Sequence, residues 1–333
     1  MGTFETPRRP ARPSVSQDEL AHLINMASCA PSVHNSQPWR FVPTSDGVLV
    51  HADRTRGLAV IDPEGRQLLI SCGAALDHLR VAARAIGLDT AVTLLPYADE
   101  PDTVAHVRLT PGGPATLGEV DAAVSVLHRH TVRGRFADDP VPTPALEAMH
   151  EAVEARGTLL RVVRPRELLD VEVLVSRAEQ ALHRIPAYDE ELARWVWDGA
   201  SVAGRDDGMP FDAVGHGAGR AESLQGRAFR PAPPVAVDPP PVREDPTAVL
   251  LSTVGDAPVD WLRAGQALSA LLLTATRLGL VAQPIGQVLD LPWSRAALQR
   301  SLGTIGAPQL LLRLGVGRAG ATSPRRPLAD VVA

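Results

Sequence analysis

One stretch decides the fold of this chain: Ala30-Pro31-Ser32-Val33-His34-Asn35-Ser36-Gln37-Pro38-Trp39-Arg40-Phe41. It follows an amphipathic helical pattern and leads into an extended segment. Its two prolines fix φ and remove backbone donors, so the helix cannot continue through it. The side chains between the prolines are small or carry amides, and a large aromatic follows. Such a stiff, polar segment suits a ligand with a flat face and polar edges, although its Pro, Ser and Asn content alone would favour an ordinary helix-to-strand turn.

The composition predicts a soluble globular protein with a large core. Of the 333 residues, 45% are hydrophobic and 21% are charged, and mean hydropathy is near zero. A net charge of −5 gives no broad electrostatic reason to bind nucleic acid or an anionic membrane. The best apolar run, residues 268–280, is interrupted by Arg277, so no membrane span is expected. Residues 1–13 hold three arginines without an apolar signal core, and we interpret them as a flexible arm.

The chain has two cysteines, Cys29 and Cys72. So few cysteines exclude a disulfide scaffold and a cysteine-rich metal site, and no metal is expected. This cysteine usage is typical of a cytoplasmic protein. Both cysteines sit in apolar helical patterns, so both are predicted to be buried packing residues.

An internal repeat is the second organising feature. Residues 73–88 and 265–280 align without a gap: Gly73 matches Gly265, and both segments end in Gly-Leu. We interpret the first glycine as the start of each long apolar helix and the last as its C-terminal cap. Extended segments at 90–95 and 104–109 follow the first helix, and segments at 248–253 and 309–314 flank the second.

These patterns predict an α+β fold, with long central helices and antiparallel or mixed sheets. Two similar halves favour a fused dimer about a pseudo-twofold axis. The predicted halves are residues 14–112 and 113–333, interlocked as one globular unit. The predicted join is the turn-forming run Pro111-Gly112-Gly113-Pro114.

The opening stretch resembles the P-S-x-x-N-x-Q-P-W signature of the nitroreductase superfamily, which lines an FMN ring. The resemblance implies that Pro31, Ser32, Val33, Asn35 and Gln37 bind the cofactor. Ordinary nitroreductases are homodimers with FMN at the subunit interface. This chain looks like both subunits joined end to end.

A basic run, Arg129-His130-Thr131-Val132-Arg133, precedes Pro140-Val141-Pro142 and resembles the second signature of that superfamily. On its own it would be read as a solvated basic turn. Arginine forks bind a phosphate monoester bidentately. The resemblance assigns Arg129 and Thr131 to the FMN phosphate and Arg133 to the N1–C2 edge of the ring, with His130 beside them.

Two further segments match the superfamily. Pro284, Ile285 and Gly286 resemble a loop whose backbone N–H points at flavin N5. Arg325 and Arg326 resemble a C-terminal basic pair that closes on the phosphate. Each half keeps one signature only: residues 149–161 lack the first, and Arg8-Arg9-Pro10 is a poor version of the second. One FMN per chain and a monomer are therefore predicted.

A segment at about 183–247 has no counterpart in the first half. It contains Asp206-Asp207-Gly208-Met209-Pro210-Phe211, a glycine-rich run at 215–219 and a proline-rich run at 231–241. Its weak periodicity predicts no core element, and we interpret it as a lid over the flavin. Trp195, Trp197, Met209 and Phe211 would supply its apolar contacts. The double-length pattern with a lid resembles the Acg-like branch, in which the lid occupies the nicotinamide and substrate space.

Three functions remain open on sequence alone. The first is an FMN-dependent oxidoreductase that passes a hydride from NAD(P)H to a nitro, quinone, enone or specialised-metabolite acceptor. The second is an FMN storage protein without turnover, and the third is a flavin-free protein that keeps only the fold. Flavin chemistry needs no side-chain acid or base, so no catalytic residue is assigned. His34, His130 and His216 are candidates for proton supply, although hydrogen-bonding or surface roles are commoner for histidine.

Overall fold

The computed structural model describes residues 15–134, 136–197, 204–214, 224, 226–229, 247–317 and 322–333. These residues form a mixed α+β fold, as predicted. The helices are α1 (Gln17–Ser28), α2 (Arg66–Ala85), α3 (Leu117–His128), α4 (Thr143–Glu154), α5 (Pro165–Leu182), α6 (Pro186–Trp195), α7 (Pro258–Arg277), α8 (Gln287–Asp290), α9 (Pro292–Leu302) and α10 (Leu328–Val331). The strands are β1 (Trp39–Pro43), β2 (Gly47–Ala52), β3 (Leu88–Leu94), β4 (Thr103–Pro111), β5 (Leu159–Val162), β6 (Val196–Trp197), β7 (Met209–Pro210), β8 (Thr247–Thr253), β9 (Leu280–Pro284) and β10 (Ala307–Val316).

Two four-stranded sheets share one topology. The first has the order β1-β2-β4-β3 and the second β5-β8-β10-β9. In both, the neighbouring strands are antiparallel. When the strands of each sheet are numbered one to four in chain order, both sheets have the spatial order 1-2-4-3. The strands of the first sheet all precede the predicted boundary at residues 112–113 in the chain, and the strands of the second sheet all follow it.

The central helices α2 and α7 cross with their backbones in contact. A Cβ on Gly73 would lie 2.2 Å from the Leu262 carbonyl oxygen, and a Cβ on Gly265 would lie 2.0 Å from the Ile70 carbonyl oxygen. Ile70 and Leu262 each precede their glycine by three residues, so the contact is reciprocal. Reciprocal contacts are what a two-fold relation between helices produces. That the halves descend from a fused dimer stays a prediction.

Each of these glycines is the eighth residue of its 20-residue helix. The interpretation of Gly73 and Gly265 as helix starts is therefore wrong. The helices begin earlier because Gly65, in the left-handed conformation with φ 75°, caps α2, and Pro258 occupies the first turn of α7. The C-terminal caps are where the sequence predicts them: Gly87 has φ 78° and Gly279 has φ 74°.

The main core is continuous across both halves. Each central helix packs on its own sheet as well as on the other helix. Leu76 and Leu79 of α2 and Leu271 of α7 are fully buried in the same cluster. No helix among the described residues combines the length and the apolar composition needed to cross a membrane.

The predicted lid segment contributes to a core after all. Helix α6 buries Tyr188 and Leu192 in a separate apolar cluster that also holds Met209 and Phe229. Leu58 and Ile61 from the first half complete that cluster. The prediction that this segment forms no core element is wrong. Its buried apolar residues come from several short, separate segments, and none of these is long enough to give a clear helical or strand periodicity. The runs at 215–219 and 231–241 and the arm at 1–13 lie outside the described residues.

The helix crossing yields a stability prediction. Gly265→Ala should lower the free energy of unfolding by about 1–3 kcal/mol or more, because the new Cβ overlaps the Ile70 carbonyl oxygen and the backbones must separate. Urea unfolding followed by circular dichroism measures it.

Gly118→Ala is the matched control, because Gly118 is also helical but its added Cβ would meet nothing within 4 Å. That variant should be neutral or slightly more stable, since alanine favours helix over glycine. Equal effects of the two substitutions would show that the crossing is looser than the structure has it.

Candidate functional site

A cavity of about 210 Å³ lies where the ends of α1 and α3 meet the C-terminal tail. Its walls join the two sequence motifs, which are about 100 residues apart in the chain, with residues of the predicted lid and the tail. The lining residues are Cys29, Pro31, Ser32, Asn35, Val126, Leu127, Arg129, His130, Thr131, Arg133, Met209, Ala213, Thr322, Ser323 and Arg325.

The turn after α1 has an unusual backbone. His34, Asn35 and Gln37 have φ of 48°, 55° and 48°, in the left-handed region that disfavours side chains. The Ser32 hydroxyl oxygen accepts a 2.9 Å hydrogen bond from the Gln37 N–H and closes the turn. Such conformations persist only when their surroundings hold them, and they occur often at ligand sites.

The amide side chains of this turn bind other parts of the chain. Asn35 Nδ2 donates to the Gly208 carbonyl at 2.8 Å, and its Oδ1 accepts from Arg325 Nη1 at 3.0 Å. Gln37 Nε2 donates to the Asp206 carbonyl, and its Oε1 accepts from the Arg326 N–H, both at 2.9 Å. These amides therefore tie the insert and the tail to the turn.

Buried positive charge dominates the cavity. Arg129 is 6% exposed, and burial, with repulsion from Arg325, lowers its pKa to about 9. Burial also lowers the pKa of Arg133 to about 10 and depresses that of Arg325. Nε and Nη1 of Arg129 and Nε of Arg325 find no hydrogen-bond partner in the described part of the chain.

These three cations are also without a carboxylate, within the described ranges: the ion pairs there involve other arginines. A buried charge without a counterion is costly. Arg133 is partly satisfied, because its Nη1 donates to the Ala213 carbonyl at 2.8 Å. Arg129 has two nitrogen atoms, Nε and Nη1, without a hydrogen-bond partner among the described residues. The arrangement therefore favours an anion in the cavity.

The second motif is anchored to the second sheet. The Val132 N–H donates to the Ala282 carbonyl of β9 at 3.1 Å, and Thr131 forms a bridge with Ala282. Arg129 is the C-terminal cap residue of α3. The motif is thereby held at both ends with its side chains at the cavity.

Several predicted site residues lie elsewhere. Arg326 braces the first motif, with its Nη1 donating to the Gln37 carbonyl at 3.2 Å. The Val33 N–H donates to Ser71 Oγ at 3.2 Å. Six predicted residues are outside the described cavity lining: Val33, Gln37, Pro284, Ile285, Gly286 and Arg326.

The predicted N5 loop is occupied by protein contacts. The Ile285 N–H donates to the Leu311 carbonyl at 2.8 Å, and Ile285 is fully buried. A Cβ on Gly286 would lie 3.3 Å from Arg227 Nη2, and one on Gly226 would overlap the Gln283 amide. Insert residues Gly226 and Arg227 thus pack against this part of the chain.

The candidate histidines differ in position. His34 is buried with its ring edge-to-face on Phe229, and burial holds its pKa well below its usual value. His130 lines the cavity, and burial also lowers its pKa. Burial thus disfavours the charged form of both rings beside the three arginines. His216 lies outside the described residues.

Sequence reasoning missed Cys29. Cys29, at the C-terminal cap of α1, is half-buried and packs against the main core, as predicted, but it also lines the cavity, which the sequence did not indicate. Its position directly before the motif was the available signal. Cys72 is fully buried, as predicted.

Comparisons with known proteins give the family. The model of the Nitroreductase family matches residues 126–318. "Putative NAD(P)H nitroreductase acg" of Mycobacterium tuberculosis (strain ATCC 25618 / H37Rv) is 30% identical, over 95% of this chain and 96% of that protein.

The chain belongs to the nitroreductase family.

"Uncharacterized protein Rv3127" of the same strain is 33% identical, over 94% of this chain and 92% of that protein. A nitroreductase with bound FMN from Desulfitobacterium hafniense DCB-2 is 13% identical and covers 64% of this chain and 97% of its own. Its TM-score of 0.39 is too low to support an argument. Membership confirms the resemblance recognised in the sequence and the prediction of an oxidoreductase.

The buried charge of this nitroreductase predicts a stability change. Arg129→Met should raise the free energy of unfolding by about 1–3 kcal/mol without added anion, because it replaces an uncompensated buried cation with an apolar side chain. Inorganic phosphate should stabilise the unsubstituted protein, by about 2.7 kcal/mol at 100 times its dissociation constant. Thermal unfolding in chloride and in phosphate measures both effects.

Arg54→Met is the control, because Arg54 is exposed and pairs with Asp102 outside the cavity. It should keep the full response to phosphate, whereas Arg129→Met should lose it. A response that survives in Arg129→Met would reveal a general salt effect and remove the anion assignment.

Proposed function

We propose that this nitroreductase is an FMN-dependent oxidoreductase that uses NAD(P)H to reduce a small organic acceptor. The observation that carries the proposal is Arg129, a buried cation beside the strained turn at residues 34–37, whose Nε and Nη1 have no partner in the described part of the chain. A phosphate monoester supplies the missing negative charge. The name of the acg relative, an NAD(P)H nitroreductase, agrees with the reductant.

The chain's own residues divide the work of binding. Arg129, Thr131 and Arg325 would hold the phosphate, since all three line the cavity. Arg133 would lie at the N1–C2 edge of the flavin ring, where a cation stabilises negative charge. FMN, when bound, would supply the redox chemistry of hydride transfer. Arg326 does not reach the cavity, so its role is to brace the turn through the Gln37 carbonyl.

The insert must shift for a whole mononucleotide to bind. The cavity, about 210 Å³, is smaller than the ~300–1,000 Å³ typical of ligand sites. Met209 and Ala213 form one wall. We propose that the cavity as it stands fits the phosphate end and that the insert makes room for the ring. The insert then acts as a lid that excludes water.

FMN storage without turnover is the second candidate, and the attachment of the lid favours it. Asn35, Gln37 and Arg133 all bond to residues 206–213. Arg56 adds a short ion pair with Asp207. A lid held this firmly would keep nicotinamide from the ring and retain the cofactor.

Stoichiometry and assembly follow from the composite cavity. The first motif contributes one wall and the second motif contributes another, so one chain completes one site. We propose one FMN per chain and a monomer whose two halves take the place of two subunits. The acceptor would be a small molecule, and the choice between NADH and NADPH is left to kinetics.

Turnover distinguishes the two candidates. Asp207→Asn removes the Arg56 ion pair and should loosen the lid. If the protein is a reductase, FMN-loaded Asp207→Asn should be reduced by NAD(P)H up to about fivefold faster, because a partly exposed pair is worth roughly 0.2–1 kcal/mol. Stopped-flow absorbance of the flavin gives the rate, with a quinone or nitroaromatic acceptor for steady state.

Asp102→Asn is the control, because it removes an ion pair to Arg54, on the same short helix as Arg56, and no ion pair joins Asp102 to the described residues of the insert. It should leave the rate unchanged. Flavin binding without NAD(P)H oxidation, in every variant and with every acceptor, would establish storage and exclude the reductase.

A further inference from the structure

The two thiols of this chain occupy opposite environments. Cys72 is fully buried, and burial raises the pKa of its thiol to about 12. Cys29 is half-buried and faces the cavity. Its thiol donates a weak 3.5 Å hydrogen bond to the Asn25 carbonyl oxygen. The Cys29 thiol is therefore accessible from the cavity, whereas the Cys72 thiol serves as an internal control for a buried, inaccessible thiol.

Two arginines, Arg129 and Arg325, line the cavity together with Cys29. The Cys29 carbonyl accepts a 3.3 Å hydrogen bond from Arg325 Nη2, which places that side chain beside the residue. Arg129 lines the same cavity, 94% buried, with Nε and Nη1 unpartnered among the described residues. Guanidinium groups attract anionic reagents and stabilise a sulfur leaving group.

We propose that Cys29 is a covalent modification site for small disulfides that carry carboxylate groups. The carboxylate binds Nε and Nη1 of Arg129, which have no hydrogen-bond partner among the described residues, and this brings the disulfide to the thiol. Cys72 cannot take part, because it has no access to the cavity. The cavity's size suits a small reagent and excludes a protein disulfide.

The exchange is balanced without a further oxidant. The Cys29 thiol releases its proton to solvent, and its sulfur attacks one sulfur of the reagent. The reagent's S–S bond breaks as the new mixed disulfide forms. The other half leaves as a thiolate and takes up a proton. The cysteine is oxidised to the disulfide level, and the departing half is reduced.

Modification would exclude the cofactor, and this consequence rests on the proposed function. The attached group and its carboxylate fill the space at Arg129 that the FMN phosphate would use. Thiol oxidation would then block loading of the flavin, and bound flavin would protect the thiol. A reducing thiol reverses the exchange and reopens the site.

Thiol counting with the dianionic aromatic disulfide DTNB tests the site itself. The native, flavin-free protein should release one equivalent of coloured thiolate, and the unfolded protein two. Cys29→Ser should abolish the native equivalent, and Cys72→Ser should retain it. Reaction of both thiols or of neither in the native protein would overturn the proposal.

The role of Arg129 is tested by reagent charge. Arg129→Met should slow the reaction with DTNB about tenfold and leave that with neutral dithiodipyridine within about twofold, since only the former is drawn by the cation. Equal slowing with both reagents would overturn carboxylate docking. Arg54→Met is the control for a general change in protein charge.

Protection separates this proposal from the proposed function. Inorganic phosphate and FMN should each slow the DTNB reaction of native protein about tenfold when saturating. Protection by phosphate but not by FMN would leave the thiol site intact and overturn a shared cavity with the cofactor. Protection by neither would overturn the docking of anions beside Cys29.

Discussion

The backbone contact between α2 and α7 is the constraint on which the rest of the structure depends. Gly73 and Gly265 leave no room for a Cβ, so the helices approach as closely as backbones can. Each helix carries one sheet, and this approach joins both halves into one core. Helices α1 and α3 both pack on α2. Their C-terminal ends, at Cys29 and Arg129, therefore reach the same cavity.

The cavity brings together three positively charged side chains that form no ion pair with a carboxylate of the described residues. Arg129, Arg133 and Arg325 are held in place by helix ends, by β9 and by the first motif, and burial lowers the pKa of each. The stability of the main core offsets the cost of keeping them there. A site that stays cationic without its ligand is ready for an anion, and this preorganisation lowers the cost of binding. The same charge makes the neighbouring thiol a target for anionic reagents.

Local sequence predicted what depends on local chemistry. Gly87 and Gly279 end their helices because a left-handed cap suits glycine. The family resemblance predicted that Pro31 and Arg129 share a site, and the structure places both at one cavity.

Contacts between distant segments were not predictable in this way. Helical periodicity cannot distinguish a glycine at a helix start from a glycine where two helices cross closely. For this reason the sequence alone predicted Gly73 at the start of its helix and not at the crossing. The sequence around Asn35 and Gln37 does not indicate that their amide side chains form hydrogen bonds with residues 206–208 and 324–326.

The most direct measurement of the central claim is an FMN titration of purified flavin-free protein, followed by flavin fluorescence and by protein-bound absorbance. A composite site shared by the two halves predicts saturation at one FMN per chain; saturation at two, or no binding, would contradict it.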